Sequence, residues 1–78
     1  MNKEKNTTLD LSKTPFPQSV IMTKRTLDKT KEEKIEIITD STISKNKITE
    51  YLNKNEWETS TEPQEKKYKI TATKKPKN

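Results

Sequence analysis

The apolar residues of this chain fall in short groups, and the spacing within each group predicts an element. Leu9 and Leu11 alternate with polar residues, which predicts a first strand over residues 8–11. The next group lies at helical spacing and predicts a helix over residues 17–30 with one apolar stripe. The members of that stripe are Val20, Ile21 and Leu27, together with the methyl group of Thr23 or the aliphatic stem of Lys24.

The middle of the chain predicts a second strand followed by a second helix. Isoleucines at 35, 37 and 38 form a β-branched run that is typical of a buried central strand. A helix is predicted to begin near Ser44, since Ile48, Tyr51 and Leu52 follow at spacings of three and four. Just before that start, Ile43 is placed for a hydrophobic staple. The segment Asn53-Lys54-Asn55 is expected to end the helix, with an asparagine in a left-handed conformation.

The last third of the chain predicts a β-hairpin. Trp57, Thr59 and Thr61 alternate with polar residues, and Tyr68, Ile70 and Ala72 do the same after a turn predicted over residues 62–65. The element order is therefore βαβαββ. This order predicts an α/β (α+β) two-layer sandwich, with two helices on one face of a four-stranded mixed sheet. The predicted organisation is a flexible N-terminus at 1–7, a domain at 8–73 and a basic tail at 74–78.

The distribution of charge adds one feature to this prediction, a basic segment at the C-terminal end. The chain has 78 residues and a net charge of +5. Residues 66–78 contain six lysines and no acidic residue, so residues 1–65 carry eleven basic and twelve acidic residues, a net of −1. A basic segment of this kind predicts a possible weak contact with RNA or an acidic partner. A solvated, solubilising tail is the competing interpretation.

The residue types that are missing exclude several chemistries. The sequence has no cysteine, histidine or glycine. Disulfides, zinc sites built on Cys or His, and Ser-His or Cys-His nucleophilic pairs are therefore excluded. The longest apolar run, at 20–22, is far too short to span a membrane. We expect no cofactor, no metal and no membrane association, and a cytoplasmic location.

The segment Pro15-Phe16-Pro17-Gln18-Ser19 joins the first strand to the first helix, and it resembles a known motif. It is similar to the Cys-Pro-x-Pro turn of the TusA family of small sulfur-carrier proteins, which includes SirA-like and YedF-like members. Pro17 matches the first proline of that motif. The resemblance extends from Leu9-Asp10, like the Leu-Asp of the family's first strand, to about Trp57.

Further matches lie in the first helix and in the second strand. Lys24-Arg25-Thr26-Leu27 resembles the family's basic pair and apolar residue, and Ile37-Ile38-Thr39-Asp40 resembles its strand that ends in aspartate. The chain departs from the pattern at the most diagnostic position, where Phe16 replaces the cysteine. Ser19 replaces the second proline, while Lys13, Glu33 and Glu56 stand where relatives usually have glycine.

The resemblance implies a fold without its transfer chemistry. In the family the cysteine accepts a persulfide sulfur and passes it on, and its position at a helix N-terminus favours a thiolate. Phe16 has no nucleophilic atom. Ser19 has no histidine to activate it, so we interpret it as a helix N-terminal cap. Phe16 is either an exposed docking residue or a side chain folded over the helix start.

The candidate partner-binding residues are those of the motif and the first helix: Phe16, Pro17, Ser19, Lys24 and Arg25. Lys24 and Arg25 either bind a phosphate, RNA or an acidic partner, or form a solvated face, with Asp28 as the i+4 partner of Lys24.

Three hypotheses follow. The first is a non-catalytic binding or regulatory module that docks a protein of a sulfur-relay or selenium-related pathway. The second is a basic nucleic-acid-binding module. The third is a designed or variant domain on the same scaffold.

Overall fold

The described part of the chain folds into two layers, as the element order predicts. A computed structural model describes residues 7–75. Its elements are β1 (Thr7–Leu11), α1 (Gln18–Lys29), β2 (Lys34–Thr39), α2 (Thr42–Lys54), β3 (Trp57–Gln64) and β4 (Lys67–Lys74). Thr7 and Lys74 thus lie one residue beyond the predicted domain bounds. The other residues of the predicted flexible N-terminus, and residues 76–78 of the predicted tail, lie outside the described residues.

The sheet is mixed, with the strand order β1-β2-β4-β3. β1 pairs parallel with β2, while β4 pairs antiparallel with both β2 and β3. A crossover between parallel strands is right-handed in nearly all proteins, which places α1 and α2 on the same face. The strand order makes β2 and β4 the central strands and β1 and β3 the edge strands.

The core lies between the sheet and the two helices. Its buried apolar residues come from every strand and from α2: Leu11, Ile35, Ile37, Ile48, Leu52, Trp57, Ile70 and Ala72. Alternate residues of each strand point to the other side of the sheet, which we call the open face. Ile38 lies on the open face and is only partly buried, so the isoleucine run of β2 divides between the two faces.

The apolar stripe predicted for α1 is wrong in its details. The fully buried residues of this helix are Ser19 and Thr23, while Ile21 is 44% exposed. Val20 and Leu27 are partly buried against the core. Small hydroxyl side chains at i and i+4 let a helix approach its neighbour closely, and here their hydroxyls are satisfied by hydrogen bonds.

α2 begins earlier than predicted, and its capping differs. It starts at Thr42 after Ser41, whose Oγ accepts a hydrogen bond from the N–H of Ser44 at 3.1 Å. Ile43 is therefore in the first turn and is 58% exposed, so it does not form the predicted staple. At the other end, Asn55 has φ −110°, and the left-handed residue is Glu56, with φ 68°.

The turn of the hairpin is shorter than predicted. β3 continues through Pro63 to Gln64, which pairs with Lys67, and only Glu65 and Lys66 form the connection. Proline is tolerated within β3 because this strand is at the edge of the sheet and needs no inter-strand bond from every N–H.

Candidate functional site

The candidate site lies where the parallel strands β1 and β2 end. Both strands reach the same edge of the sheet, and each continues directly into a segment that leads to a helix. An open cleft of about 590 Å³ lies between these two segments. We call it the Phe16 cleft, and it is lined by Lys13, Thr14, Pro15, Phe16, Asp40, Ser41 and Ile43. Clefts at the carboxyl ends of parallel strands are common ligand and partner sites in α/β folds.

Two large apolar side chains line this cleft and face solvent. Phe16 is 44% exposed and Ile43 is 58% exposed. Phe16 comes from the segment before α1, whereas Ile43 comes from the first turn of α2. The exposure of Phe16 favours the docking alternative over a side chain folded fully against the helix start. Ile43 was missed as a site residue because the predicted start of α2 was two residues too late.

Pro17 is the N-cap of α1 and not a residue of its first turn. No side chain caps this helix end. Instead, the carbonyl of Pro15 accepts the N–H of Ser19 at 3.0 Å, and the carbonyl of Pro17 accepts the N–H of Ile21 at 3.1 Å. The backbone of the two prolines therefore fixes the start of α1 and, with it, the position of Phe16 between them.

Ser19 is buried, so its predicted roles change. It is 0% exposed, and its Oγ donates to Oγ of Ser44 on α2 at 2.7 Å. The interpretation of Ser19 as a helix cap is therefore wrong. Because the side chain is inaccessible, Ser19 does not itself line the Phe16 cleft, and its hydrogen bond joins α1 to α2 beside it. Thr23 extends this polar contact by donating to the carbonyl of Ser19 at 2.9 Å.

Lys24 and Arg25 lie on the exposed side of α1. The Nζ of Lys24 is 5.1 Å from the centroid of the Tyr51 ring on α2, which is within the range of a cation–π contact. The expected i+4 ion pair between Lys24 and Asp28 is not among the salt bridges of residues 7–75. Lys24 thus links the two helices, and Arg25 remains exposed to solvent.

Asp10 and Ser12 shape the loop that leads from β1 into the cleft. The hydroxyl and the N–H of Ser12 both donate to Oδ1 of Asp10, at 2.7 and 3.0 Å. These two hydrogen bonds, the one from the hydroxyl first, hold the pKa of Asp10 below its ordinary value of 3.8. The Asp10 carboxylate therefore stabilises a local turn by accepting both hydrogen bonds.

On the other side of the cleft, Asp40 is exposed and precedes the Ser41 cap. Asp40 thus directly follows β2, while Ser41 supplies the capping oxygen. Tyr68 fixes the same helix start to the sheet, because its hydroxyl lies 3.0 Å from Oγ1 of Thr42.

Folding disperses the lysines that cluster at the C-terminal end of the sequence. Lys67 and Lys69 lie on the open face beside acidic residues of neighbouring strands, and Lys69 forms a salt bridge with Glu36 at 3.9 Å. The charged residues of the open face are Asp10, Lys34, Glu36, Glu58, Glu62, Lys67 and Lys69. They give this face a net charge of −1.

The two helices, in contrast, carry six basic and two acidic residues, a net of +4. The residues are Lys24, Arg25, Asp28, Lys29, Lys45, Lys47, Glu50 and Lys54. The positive surface of residues 7–75 is therefore mainly on the helical layer, which the linear sequence does not reveal.

Within residues 7–75, no three acidic side chains are grouped so that they could hold a metal ion. Neither α1 nor α2 has the length and apolar character that a membrane-spanning helix requires.

Comparison with known proteins gives a family and a fold. The family model described as sulfurtransferase TusA matches residues 7–74. No match is found among curated proteins. The crystal structure of a SirA-like protein from Desulfitobacterium hafniense superposes with a TM-score of 0.76 and 17% sequence identity. The alignment covers 92% of this chain and 100% of that chain, and at such low identity it shows the shared fold alone.

Proposed function

Because the chain belongs to the TusA family of sulfurtransferases, we propose that it is a sulfur-relay scaffold protein that binds a relay partner without carrying sulfur itself. The sequence contains no cysteine, so no thiol is present to accept a persulfide. The family architecture is nevertheless complete over the matched residues. What remains for such a chain is recognition, as a non-catalytic binding or regulatory module.

The observation that carries this proposal is the exposed Phe16 at the family's sulfur-carrying position. A side chain of this size left 44% exposed beside a second exposed apolar residue, Ile43, offers apolar area that a partner would cover. Burial of an aromatic side chain is a main source of binding energy at protein interfaces. Pro17 holds Phe16 in place, Ser19 supports the helix from inside, and Lys24 and Arg25 extend the surface along α1.

The proposal predicts that Phe16→Cys restores sulfur acceptance from a cysteine desulfurase. The introduced thiolate attacks the terminal sulfur of the enzyme's persulfide, the enzyme's cysteine thiolate leaves, and the sulfur atom stays on the variant. Ile21→Cys is a matched control, because Ile21 is also 44% exposed and lies in the first turns of α1, close to Phe16 in sequence. Positioning by docking should make transfer to Phe16→Cys at least about tenfold faster than to Ile21→Cys.

Mass spectrometry of the intact variants measures the added sulfur over time, and circular dichroism checks that both variants are folded. Equal rates for the two variants would mean that the thiol is loaded by random collision. A folded Phe16→Cys variant that accepts no sulfur would also contradict docking of a desulfurase at this cleft. A partner from a selenium-related pathway and a cytoplasmic location stay predictions.

Nucleic-acid binding is the second candidate, and the charge of the helical layer is the observation that favours it. The net charge of +4 on α1 and α2 would attract phosphates more strongly than the open face, where lysines and acids alternate. This changes the predicted contact surface from the C-terminal lysines to the helices. A designed or variant domain remains the third hypothesis.

A further inference from the structure

β3 is an edge strand whose outer side is open for pairing. It follows α2 and pairs only with β4 among the described strands. The N–H of Lys75 donates to the carbonyl of Glu56 at 2.9 Å, and Gln64 pairs with Lys67 across the two-residue turn. In an antiparallel ladder, hydrogen-bonded positions alternate. Both observations agree that the even-numbered residues of β3 form their backbone hydrogen bonds with β4.

The odd-numbered residues of β3 therefore direct their backbone groups outward. These are the N–H groups of Trp57, Thr59 and Thr61, together with the carbonyls of the same residues and of Pro63. No backbone hydrogen bond described for residues 7–75 outside the regular elements uses them. Pro63, which lacks an N–H, occupies an outward position, so the ladder toward β4 loses nothing there. An outer row of this kind can accept an added strand.

On the open face of the sheet, the side chains next to these outward backbone groups include two glutamates. Glu58 and Glu62 are exposed on the open face, with Ser60 between them. Neither glutamate is in a salt bridge within the described residues. A polar depression of about 390 Å³ lies along the first half of β3 and is lined by Glu58, Ser60 and Thr71 among others. Lys75 also lines it, without a described salt bridge to Glu58.

A second copy of this chain does not suit the full length of the edge. If two β3 strands paired antiparallel with Ser60 opposite Ser60, the outward groups of both strands would be paired. Glu58 would then face Glu62 of the other copy, twice per dimer. Like charges directly opposite each other destabilise a strand pair.

We infer that the outer edge of β3 binds an extended segment of a partner protein with lysine or arginine at alternate positions. The basic side chains pair with Glu58 and Glu62 on the open face, and small polar residues between them lie beside Thr59 and Thr61. β4 provides this charge pairing at one position on its own side of β3, where Lys69 lies opposite Glu62. The site is separate from the Phe16 cleft, because β1 forms the other edge of the sheet.

A peptide of sequence Thr-Lys-Thr-Lys-Thr-Lys-Thr, blocked at both ends, tests this inference on the full chain at low salt. The peptide is long enough to cover Trp57–Pro63 at about 3.4 Å per residue. We expect saturable binding, with slower hydrogen exchange at the amides of Thr59 and Thr61. The amide of Ser60 already faces β4 and should change little. A peptide with glutamate in place of lysine should bind at least about tenfold more weakly.

Two isomeric peptides separate strand addition from simple charge attraction. When the peptide pairs antiparallel to β3, the threonine N–H groups bond to β3, whereas the lysine N–H groups point away. N-methylation of three threonines, at peptide positions 3, 5 and 7, should therefore abolish binding, and N-methylation of the three lysines should preserve it. Equal affinity of the two isomers would overturn the inference, as would binding without protection of Thr59 and Thr61. Concentration-dependent dimers that protect these amides in the absence of peptide would overturn it in favour of self-pairing.

The double variant Glu58→Lys with Glu62→Lys reverses the charge on the protein, as the glutamate peptide reverses it on the peptide. Both positions are exposed, and the variant should prefer the glutamate peptide over the lysine peptide. An unchanged preference for lysine would contradict the assigned role of the two glutamates. The peptide isomers decide the question without this variant if it does not fold.

Discussion

Single residues explain where this chain departs from an idealised version of its fold. Glu56 has φ 68° directly after α2, a conformation that is costly for a residue with a Cβ and natural for glycine. The resemblance to the TusA family suggested glycine at this position, and the backbone supplies the reason. Asp10 shows the opposite case, where a polar residue suits its local turn through two hydrogen bonds.

Glu56→Gly should stabilise the protein. The substitution removes the steric penalty of a positive φ, which is about 1 kcal/mol for a residue other than glycine. Urea unfolding measures the change in the free energy of unfolding. Glu58→Gly is the control, because Glu58 lies in the extended strand β3 and its replacement should destabilise. A destabilised Glu56→Gly variant would show that the Glu56 side chain contributes more than its backbone costs.

Ser12→Ala should raise the pKa of Asp10 toward its ordinary value. The substitution removes the hydroxyl donor, the larger of the causes that lower this pKa, and leaves the backbone N–H donor in place. A folded-state pKa below the unfolded value stabilises the protein above the unfolded pKa, and the stabilisation is lost as the pH falls through the folded pKa. NMR titration of the Asp10 side chain measures the shift. An unchanged midpoint would mean that the Ser12 hydroxyl does not bond to Asp10 in solution.

At the scale of elements, the contact between α1 and α2 is the one that differs most from the predicted helices. The pattern of α1 predicts an apolar stripe, yet this helix buries Ser19 and Thr23. The buried hydroxyls of Ser19 and Ser44 satisfy each other at 2.7 Å. On the outer side, Lys24 stacks on Tyr51. The helices are thus joined by a polar pair inside and a cation–π contact outside, and both contacts involve α1, the helix that follows Phe16.

A double-mutant cycle on Ser19 and Ser44 should show strong coupling. Each single change to alanine leaves the other hydroxyl buried without its partner, at a cost of about 1–3 kcal/mol. The double variant removes both polar groups and should cost less than the sum of the two single variants. Thermal or urea unfolding measures all four proteins. Additive effects would show that the two hydroxyls do not depend on each other.

For the whole molecule, charge is segregated between the two layers. The helices carry a net charge of +4, whereas the open face of the sheet carries −1. An acidic partner or a nucleic acid would therefore approach the helical layer. The basic segment inferred for the outer edge of β3 would approach the molecule from the sheet side.

Any RNA affinity of this chain should follow the helix charges. Replacing Arg25, Lys29 and Lys54 by glutamine removes as many charges as replacing Lys74, Lys75 and Lys77. The helix variant should lower the slope of log K against log salt by about 2 for single-stranded RNA, and the tail variant should lower it less. Fluorescence anisotropy over a salt series measures both slopes. A larger loss in the tail variant would restore the C-terminal lysines as the contact surface, and no binding at low salt would remove this candidate.

The sequence by itself determined the order of the elements, the fold class and the absence of a cysteine thiol. These follow from local periodicity, from turn residues and from the missing thiol, which do not depend on distant contacts. The Phe16 position was also found there, through its similarity to a motif. Ile43 was not, because a shift of two residues in the predicted start of α2 hid its exposure.

Only the tertiary structure decided which side chains are accessible. Ser19 looked like a candidate surface residue, but it is buried because Ser44, far away in sequence, provides a partner for its hydroxyl. Likewise, Lys69 belongs to a basic run in sequence and to a salt bridge with Glu36 in the sheet. The outer edge of β3 depends on strand order, since β4 returns between β2 and β3 and leaves β3 at the margin. Burial, pairing and edges are properties of contacts between distant segments, and local sequence patterns do not encode them.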